Sequence, residues 1–153
     1  MNQELMFATG NVVASTPQDF FDDMNYEFGP FDVDVCALPE NAKCKHYLSP
    51  EMDGLSWDWR GMCWMNPPYG REISKWVEKA SKSASESYET TVVCLLPART
   101  DTRWWHEYIW DEKLHRPRRG VEIRYVRGRL KFGGSKNGAP FPSAVVIFHG
   151  TSK

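Results

Sequence analysis

The sequence predicts a single α/β domain whose sheet is mostly parallel and ends in an antiparallel hairpin. Strand-like and helix-like segments alternate over the first two thirds of the chain, and consecutive strand-like segments follow. No internal repeat, low-complexity stretch or Pro/Gly/Ser-rich linker divides the 153 residues, a length that suits one domain. We therefore expect one domain over residues 1–153, with residues 1–14 as a loosely ordered leading segment.

The first part of the chain is expected to contain one helix and two strands. Thr16-Pro17 is typical of a helix start, because a threonine oxygen can cap free amides and proline fits the first helical position. Apolar residues then recur at helical spacing up to Gly29-Pro30: Phe20, Phe21, Met24 and Phe28. Alternating apolar and acidic residues predict a strand at 31–36, and an apolar run predicts a short buried strand at 61–65.

The second part adds two helices and four strands. The helices are predicted at 71–85, with Ile73, Trp76, Val77 and Ala80 on one face, and at 102–110, behind a Thr or Asp cap. The strands are predicted at 91–96, 121–126, 129–132 and 143–148. In open α/β sheets, ligands bind outside the carboxyl ends of the strands, so the residues that follow each strand are candidates for a site.

Charge is distributed unevenly along the chain, although 19 Lys and Arg against 20 Asp and Glu give a net charge of -1. Residues 1–70 carry a net charge of -8, and the remainder carries +7. Residues 113–136 hold nine basic residues and one acidic residue. This asymmetry is equally consistent with a polyanion binder that has a separate acidic pocket and with two solvated surfaces that cancel.

The most specific motif is Asn66-Pro67-Pro68-Tyr69, followed by Gly70, directly after the strand predicted at 61–65. Two prolines stiffen this loop and fix the direction of its carbonyls. The Asn66 oxygen and the Pro67 carbonyl can each accept one hydrogen of an exocyclic amine, while the ring that bears the amine lies on Tyr69. The loop therefore predicts a site for a planar ring with an amino group.

Such a site suits methylation of an adenine amine. The lone pair of that nitrogen is delocalised into the ring, and two acceptors on its hydrogens favour a pyramidal, nucleophilic nitrogen. Direct in-line attack on the methyl group of a sulfonium donor then needs orientation and electrostatic complementarity, and no strong base.

The NPPYG loop resembles the catalytic loop of amino-group methyltransferases that use S-adenosylmethionine. Further segments widen the resemblance: TPQDFFDDMNYEFGPFDVDVCALPENAKC, DGLSWDWRG, LLPARTDTRWWH, GRLKFGG and APFPSAVVIF. Together, from about Thr16 to Phe148, they are similar to the phage-type (Dam-like) DNA adenine N6-methyltransferases. The resemblance implies a Rossmann-like class I methyltransferase sheet, S-adenosylmethionine as the cofactor and a phage origin.

The resemblance also implies site residues. Asn66, Pro67, Pro68 and Tyr69 would hold a flipped adenine. The donor would be bound by Thr16, Pro17, Asp34, Cys36, Ala37 and Asp53. Among these, Thr16 and Pro17 would border its methionine end, Asp34 would meet its cationic amino group, and Asp53 would lie near its adenosine or near the target base. The turn after Asp34 lacks the glycines that are common at this point in methyltransferases of this architecture.

Double-stranded DNA is the expected partner, held through its phosphates by the basic region 113–136. The candidate DNA-binding residues are Arg116, Arg118, Arg119, Arg127, Arg129, Lys131 and Phe132. We expect 116–119 to form a mobile basic loop, and Arg127, Arg129 and Lys131 to share one face of a strand. Phe132 either stacks on the flipped base opposite Tyr69 or packs in the core. With little chain to spare for target recognition, sequence specificity is expected to be modest, or gained by homo-oligomerisation.

Composition argues against other classes of protein. No apolar run approaches the length of a membrane span, and no signal peptide is visible, so a cytoplasmic protein is expected. The four cysteines show neither zinc spacing nor the Pro-Cys setting of cytosine C5 chemistry, and we expect reduced, structural thiols and no metal. Two alternatives stay open: an RNA or protein-amide methyltransferase with the same donor, and a catalytically silent nucleic-acid-binding module.

Overall fold

Seven strands occur in residues 15–151, the part of the chain that the computed structural model describes. They are β1 Val33–Asp34, β2 Gly61–Met65, β3 Thr90–Pro97, β4 Trp110–Asp111, β5 Arg116–Pro117, β6 Val121–Tyr125 and β7 Ser143–Phe148. Five form one sheet in the order β1-β2-β3-β7-β6, and β4 and β5 form a separate antiparallel ribbon. β1, β2 and β3 pair in parallel, whereas β7 runs antiparallel to β3 and β6. The prediction of a mixed α/β fold with a mostly parallel sheet is confirmed. The leading segment predicted at 1–14 lies outside the described residues.

Three α-helices and three short 3-10 turns accompany these strands within the same residues. The helices are α1 Gln18–Phe28, α2 Ile73–Ser85 and α3 Arg103–Tyr108, and the turns are Pro50–Met52, Gly54–Ser56 and Phe132–Gly134. The predicted apolar face of α2 is buried, with Ala84 added to it. The cap of α3, which the sequence leaves open between Thr and Asp, is Thr102, whose Oγ1 accepts a hydrogen bond from the Trp105 amide. None of these helices is long and apolar enough to cross a membrane.

Aromatic packing fixes α1 on the sheet. Phe21 of α1 meets Trp64 of β2 edge-on, with 5.2 Å between ring centroids, and Phe31 packs against both rings at 5.6 Å. All three side chains are buried in the core. Burial of side chains of this size contributes roughly 1.5–3 kcal/mol each. The packing holds the start of α1 next to the end of β2.

Several local predictions are wrong, each for an identifiable reason. The strand expected at 31–36 is only two residues long, because the Asp34 carboxylate binds amides of the following turn. The segment 129–132 is not a strand, since Gly128 and Gly133 on either side adopt φ of 76° and 62°. Part of the predicted loop 116–119 is strand β5. Trp110, expected in α3, belongs to β4.

The strand directions place the ends of several strands together. β1, β2, β3 and β6 all finish at one edge of the sheet, where β7 begins; we call this the site edge. The opposite edge, where β2, β3 and β6 begin and β7 finishes, is the far edge. The residues predicted to carry chemistry follow β1 and β2, so they lie at the site edge.

Candidate active site

The Asn66–Tyr69 loop leaves β2 at the site edge and turns into the protein. Asn66 is 5% exposed, Pro67 is buried and Pro68 is half-buried. Nδ2 of Asn66 donates a 3.1 Å hydrogen bond to Oγ1 of Thr16, which is 3% exposed. The sequence predicts that the Thr16 side chain caps α1, and this prediction is wrong, because the side chain bonds Asn66 instead. The loop brings the predicted catalytic residues together with Thr16 and with Pro17 beside it.

Tyr69 is anchored at its hydroxyl and covered at its ring. The hydroxyl donates a 2.9 Å hydrogen bond to the Leu95 carbonyl of β3, and burial raises the pKa of this phenol well above 10. The rings of Phe132 and Phe141 contact the Tyr69 ring edge-on, at centroid distances of 6.2 and 5.4 Å. Tyr69 is only 5% exposed. A base can therefore stack on this ring only when the neighbouring rings shift.

The turn after β1 is organised by the Asp34 carboxylate. Its two oxygens accept hydrogen bonds from the Cys36 amide at 3.3 Å and from the Lys43 amide at 3.1 Å. Burial raises the pKa of Asp34 from 3.8 to about 7, although both hydrogen bonds and the Lys43 charge act in the opposite direction. Desolvation therefore outweighs the bonds. In this chain a buried acid fixes the turn that contains Cys36 and Ala37.

A cavity of about 230 Å³ lies between this turn and the Asn66–Tyr69 loop. Its lining residues are Cys36, Leu48, Ser49, Pro50, Asp53, Gly54, Leu55, Pro68, Glu72 and Trp76. Asp53, at φ 52°, and Gly54 form the tight backbone of one wall. A Cβ on Gly54 would lie 2.5 Å from the Val35 carbonyl oxygen, so a larger residue cannot occupy this position without a shift. The cavity is lined by Cys36, Asp53 and Pro68, three predicted site residues from separate parts of the sequence.

The lining of the cavity fits a nucleoside-containing donor. Leu48, Leu55 and Trp76 provide apolar surface for a flat ring, and Asp53 and Glu72 provide carboxylate acceptors for hydroxyl groups. Ligand sites commonly combine a mainly apolar lining with a few polar groups that set orientation.

Sequence reasoning missed two groups of site residues. Glu72 and Trp76 line the cavity because the chain enters α2 directly after the Asn66–Tyr69 loop. Their closeness to the motif in the sequence could have identified them as site residues. Phe141 reaches Tyr69 because β7 is antiparallel and so begins at the site edge. Phe141 lies between two prolines just ahead of a buried strand. This position indicates a site residue only when the antiparallel direction of β7 is known.

The basic region is divided between the two edges of the sheet. Arg127, Arg129 and Lys131 follow β6 and are exposed at the site edge, where Arg129 also donates to the Ala139 carbonyl at 3.2 Å. Arg116, Arg118 and Arg119 precede β6 at the far edge. There the Gly120 carbonyl accepts from the amide of His149, the residue that follows β7. Five residues of β6, roughly 16 Å of strand, separate the two groups.

The cysteine side chains are free thiols. Burial raises the pKa of Cys36, Cys44 and Cys63 to about 12, and that of Cys94 well above 9. Neutral thiols are poor nucleophiles, so the thiolate chemistry of cytosine C5 methylation has no candidate in this chain. In residues 15–151, no group of three or more His, Cys, Asp and Glu side chains is arranged to hold a metal ion.

The chain is similar in sequence to known DNA adenine methyltransferases. The family described as DNA N-6-adenine-methyltransferase (Dam) matches residues 11–149. A DNA N-6-adenine-methyltransferase of Haemophilus phage HP1 is 34% identical over 110 residues, which cover 71% of this chain and 58% of that protein. One of Escherichia phage T1 is 32% identical over 95 residues, covering 61% of this chain and 39% of the relative. The matched regions thus span about half the length of these relatives.

Proposed function

The chain belongs to the family of DNA N-6-adenine-methyltransferases (Dam), and we propose that it transfers a methyl group from S-adenosylmethionine to the N6 amino group of adenine in double-stranded DNA. The buried side-chain amide of Asn66 carries this proposal. It lies at the site edge, within a loop that also supplies the Pro67 carbonyl and the Tyr69 ring. No other polar side chain in residues 66–69 can accept an amine hydrogen from an adenine lying on Tyr69.

A Rossmann-like class I methyltransferase sheet is the architecture that we propose for this single domain. Parallel strands that end beside the motif, together with a last strand that is antiparallel and lies between β3 and β6, support it. The two phage relatives support a phage origin, and hence action on DNA in the host cytoplasm.

The donor would occupy the cavity between the β1 turn and Pro68. Among the residues that line this cavity, Asp53 and Glu72 would accept hydrogen bonds from its ribose, and Leu55 and Trp76 would contact its adenine ring. Asp34, with Cys36 and Ala37, would receive its cationic amino group, and Thr16 and Pro17 would border its methionine end. When bound, S-adenosylmethionine supplies an electrophilic methyl group. Asp34 must lose its proton to pair with a cation, so binding at pH 6 would release a proton.

The Asn66–Tyr69 loop prepares the nucleophile. The Asn66 oxygen and the Pro67 carbonyl each accept one hydrogen of the adenine amine, which concentrates the lone pair on the nitrogen. Tyr69 orients the base by stacking, while the buried setting of the loop strengthens both hydrogen bonds by excluding water. No general base is invoked, because the amine needs no deprotonation before attack. The new nitrogen–carbon bond would form as the methyl–sulfur bond of the donor breaks, and the methylated nitrogen would then lose one of its two hydrogens as a proton to solvent.

DNA would be held at the site edge by Arg127, Arg129 and Lys131. Extrusion of an adenine from the duplex costs a few kcal/mol, which phosphate contacts near the site must offset. Phe132 and Phe141 would shift from Tyr69 as the base enters. The predicted DNA contacts of Arg116, Arg118 and Arg119 would have to reach phosphates farther along the duplex, because these residues lie at the far edge.

Transfer of labelled methyl from S-adenosylmethionine tests the choice of acceptor. Unmethylated duplex DNA, single-stranded DNA, RNA and a protein mixture are compared in parallel. We expect duplex DNA to be labelled fastest, and Tyr69→Ala to abolish labelling. Exclusive labelling of RNA or protein would overturn the acceptor. Folded protein that binds DNA and labels none of the four would favour a silent binding module.

A further inference from the structure

The buried contact between Thr16 and Asn66 joins two residues that are 50 positions apart in the chain. Oγ1 of Thr16 accepts a hydrogen bond from Nδ2 of Asn66 at 3.1 Å. Thr16 is 3% exposed and Asn66 is 5% exposed, so water does not compete freely for either group. The Thr16 side chain makes no capping bond to α1, although it stands at the start of that helix.

The orientation of a side-chain amide decides what it presents to a partner. An asparagine amide has a donor nitrogen on one side and an acceptor oxygen on the other, and a half-turn about its last torsion exchanges them. With the nitrogen held by Thr16, the oxygen faces away from Thr16. The reverse orientation would offer an NH₂ group to the adenine amine, and two donors cannot form a hydrogen bond.

We propose that Thr16 is a positioning residue that sets the orientation of the Asn66 amide so that its oxygen serves as the acceptor for the target amine. This inference rests on the proposed function and deepens it. The aromatic packing of Phe21 and Phe31 on Trp64 holds the start of α1 in place and so keeps Thr16 beside Asn66. Thr16, which directly precedes the N-cap of α1, thereby links the start of this helix to the Asn66–Tyr69 loop.

The test compares Thr16→Val, which keeps the shape and removes the oxygen, with Thr16→Ser, which keeps the oxygen. Thr90→Val is the matched control. Thr90 is equally buried and its Oγ1 bonds the Trp59 carbonyl at 3.2 Å, but it lies at the far edge. Loss of one buried hydrogen bond commonly changes an equilibrium by about tenfold. Single-turnover methyl transfer is measured with DNA and donor both saturating.

We expect Thr16→Val to lower the single-turnover rate, measured with the donor saturating, by about tenfold, and Thr16→Ser to keep most of the wild-type rate. Thr90→Val should transfer methyl at the wild-type rate. Wild-type transfer by Thr16→Val would overturn the proposal, as would equal losses in Thr16→Val and Thr90→Val. Urea unfolding of each variant confirms that the folded protein is being compared.

A second measurement does not depend on activity. The side-chain NH₂ hydrogens of Asn66 are followed by NMR during exchange into deuterated water. We expect slow exchange in the wild type and Thr16→Ser, and clearly faster exchange in Thr16→Val. Equal exchange in all three would overturn the proposed contact. A wild-type protein that labels no DNA would contradict the proposed function, while the NMR comparison would still decide whether Thr16 holds the Asn66 amide.

Discussion

The hydroxyl of Tyr69 donates a 2.9 Å hydrogen bond to the carbonyl oxygen of Leu95, which ties the loop after β2 to the neighbouring strand β3. Tyr69 is almost fully buried, and its phenol stays protonated because burial raises its pKa. The hydroxyl therefore anchors the loop, while the ring remains the part that a base would contact.

Replacing Tyr69 by Phe separates these two roles. Tyr69→Phe leaves the Leu95 carbonyl without this donor, so we expect the free energy of unfolding to fall by about 1–2 kcal/mol in urea titrations. The flat ring is kept, so methyl transfer should stay within several-fold of the wild type. Tyr88→Phe is the control, since Tyr88 is exposed, and should change stability by less than about 0.5 kcal/mol. A hundredfold loss of transfer in Tyr69→Phe would mean that the hydroxyl takes part in the chemistry.

Asp34 should make the stability of the protein depend on pH. Its pKa is about 7 in the folded state, against an ordinary value of 3.8. Between these two pH values, the Asp34 carboxyl is ionised in the unfolded chain and protonated in the folded protein. Raising the pH from 4 to 7 therefore favours unfolding, on the order of 1.4 kcal/mol per pH unit from this group.

The Asp34→Asn variant lacks this contribution. The unfolding free energy of the wild type, relative to that of Asp34→Asn, should fall as the pH rises from 4 to 7 and should be constant above pH 7. Urea titrations at each pH measure it, with Asp23→Asn on the exposed side of α1 as the control. A difference that does not vary with pH would show that Asp34 is ionised throughout.

The division of the basic region predicts two different salt dependences. Arg127→Ala with Lys131→Ala removes two cations at the site edge. The slope of log K for DNA binding against log salt should become less negative by about 1.8, at roughly 0.9 per phosphate contact. Arg116→Ala with Arg119→Ala removes two cations at the far edge and should change the slope less. Equal changes, measured by fluorescence anisotropy, would place DNA across both edges.

Phe132 can be assigned to the core, to the base site, or to both. Its side chain is 1% exposed and contacts Tyr69 edge-on. We expect Phe132→Leu to cost about 1 kcal/mol of stability, as conservative core replacements do, and also to weaken the fluorescence rise of 2-aminopurine placed at a mapped target adenine. Phe148 lies in the core at the end of β7, so Phe148→Leu should lower stability without changing the fluorescence response. An unchanged fluorescence response in Phe132→Leu would leave Phe132 a core residue alone.

The strands with continuous apolar side chains were predictable from the sequence, and the glycine-flanked segment was not. β2 and β7 lie where the apolar runs 61–65 and 143–148 predict them, because burial on both faces requires such runs. The segment 129–132 has strand-like residues, but the left-handed backbone at Gly128 and Gly133 prevents a strand there. Nothing in the local pattern indicates that β7 lies between β3 and β6.

The candidate site was predictable where its residues are adjacent in the chain. The motif alone identifies the Asn66–Tyr69 loop as a candidate, whereas the bond from Asn66 to Thr16 depends on tertiary packing across 50 residues. The charge pattern indicated one basic region at 113–136, and the direction of β6 divides it. A near-zero net charge therefore hides an acidic first half and a site-edge group of cations beside the proposed base site.

Mass-spectrometric measurement of methylated bases, in duplex DNA incubated with S-adenosylmethionine and protein, tests the central claim most directly. Asn66→Ala is compared with wild type and with Asn25→Ala, which removes an asparagine side chain at the end of α1 that accepts from the Phe31 amide. We predict N6-methyladenine from wild type and Asn25→Ala, and a loss of at least roughly a hundredfold in Asn66→Ala with its fold and donor binding intact. Wild-type amounts of N6-methyladenine from Asn66→Ala, or methylcytosine as the wild-type product, would contradict the account.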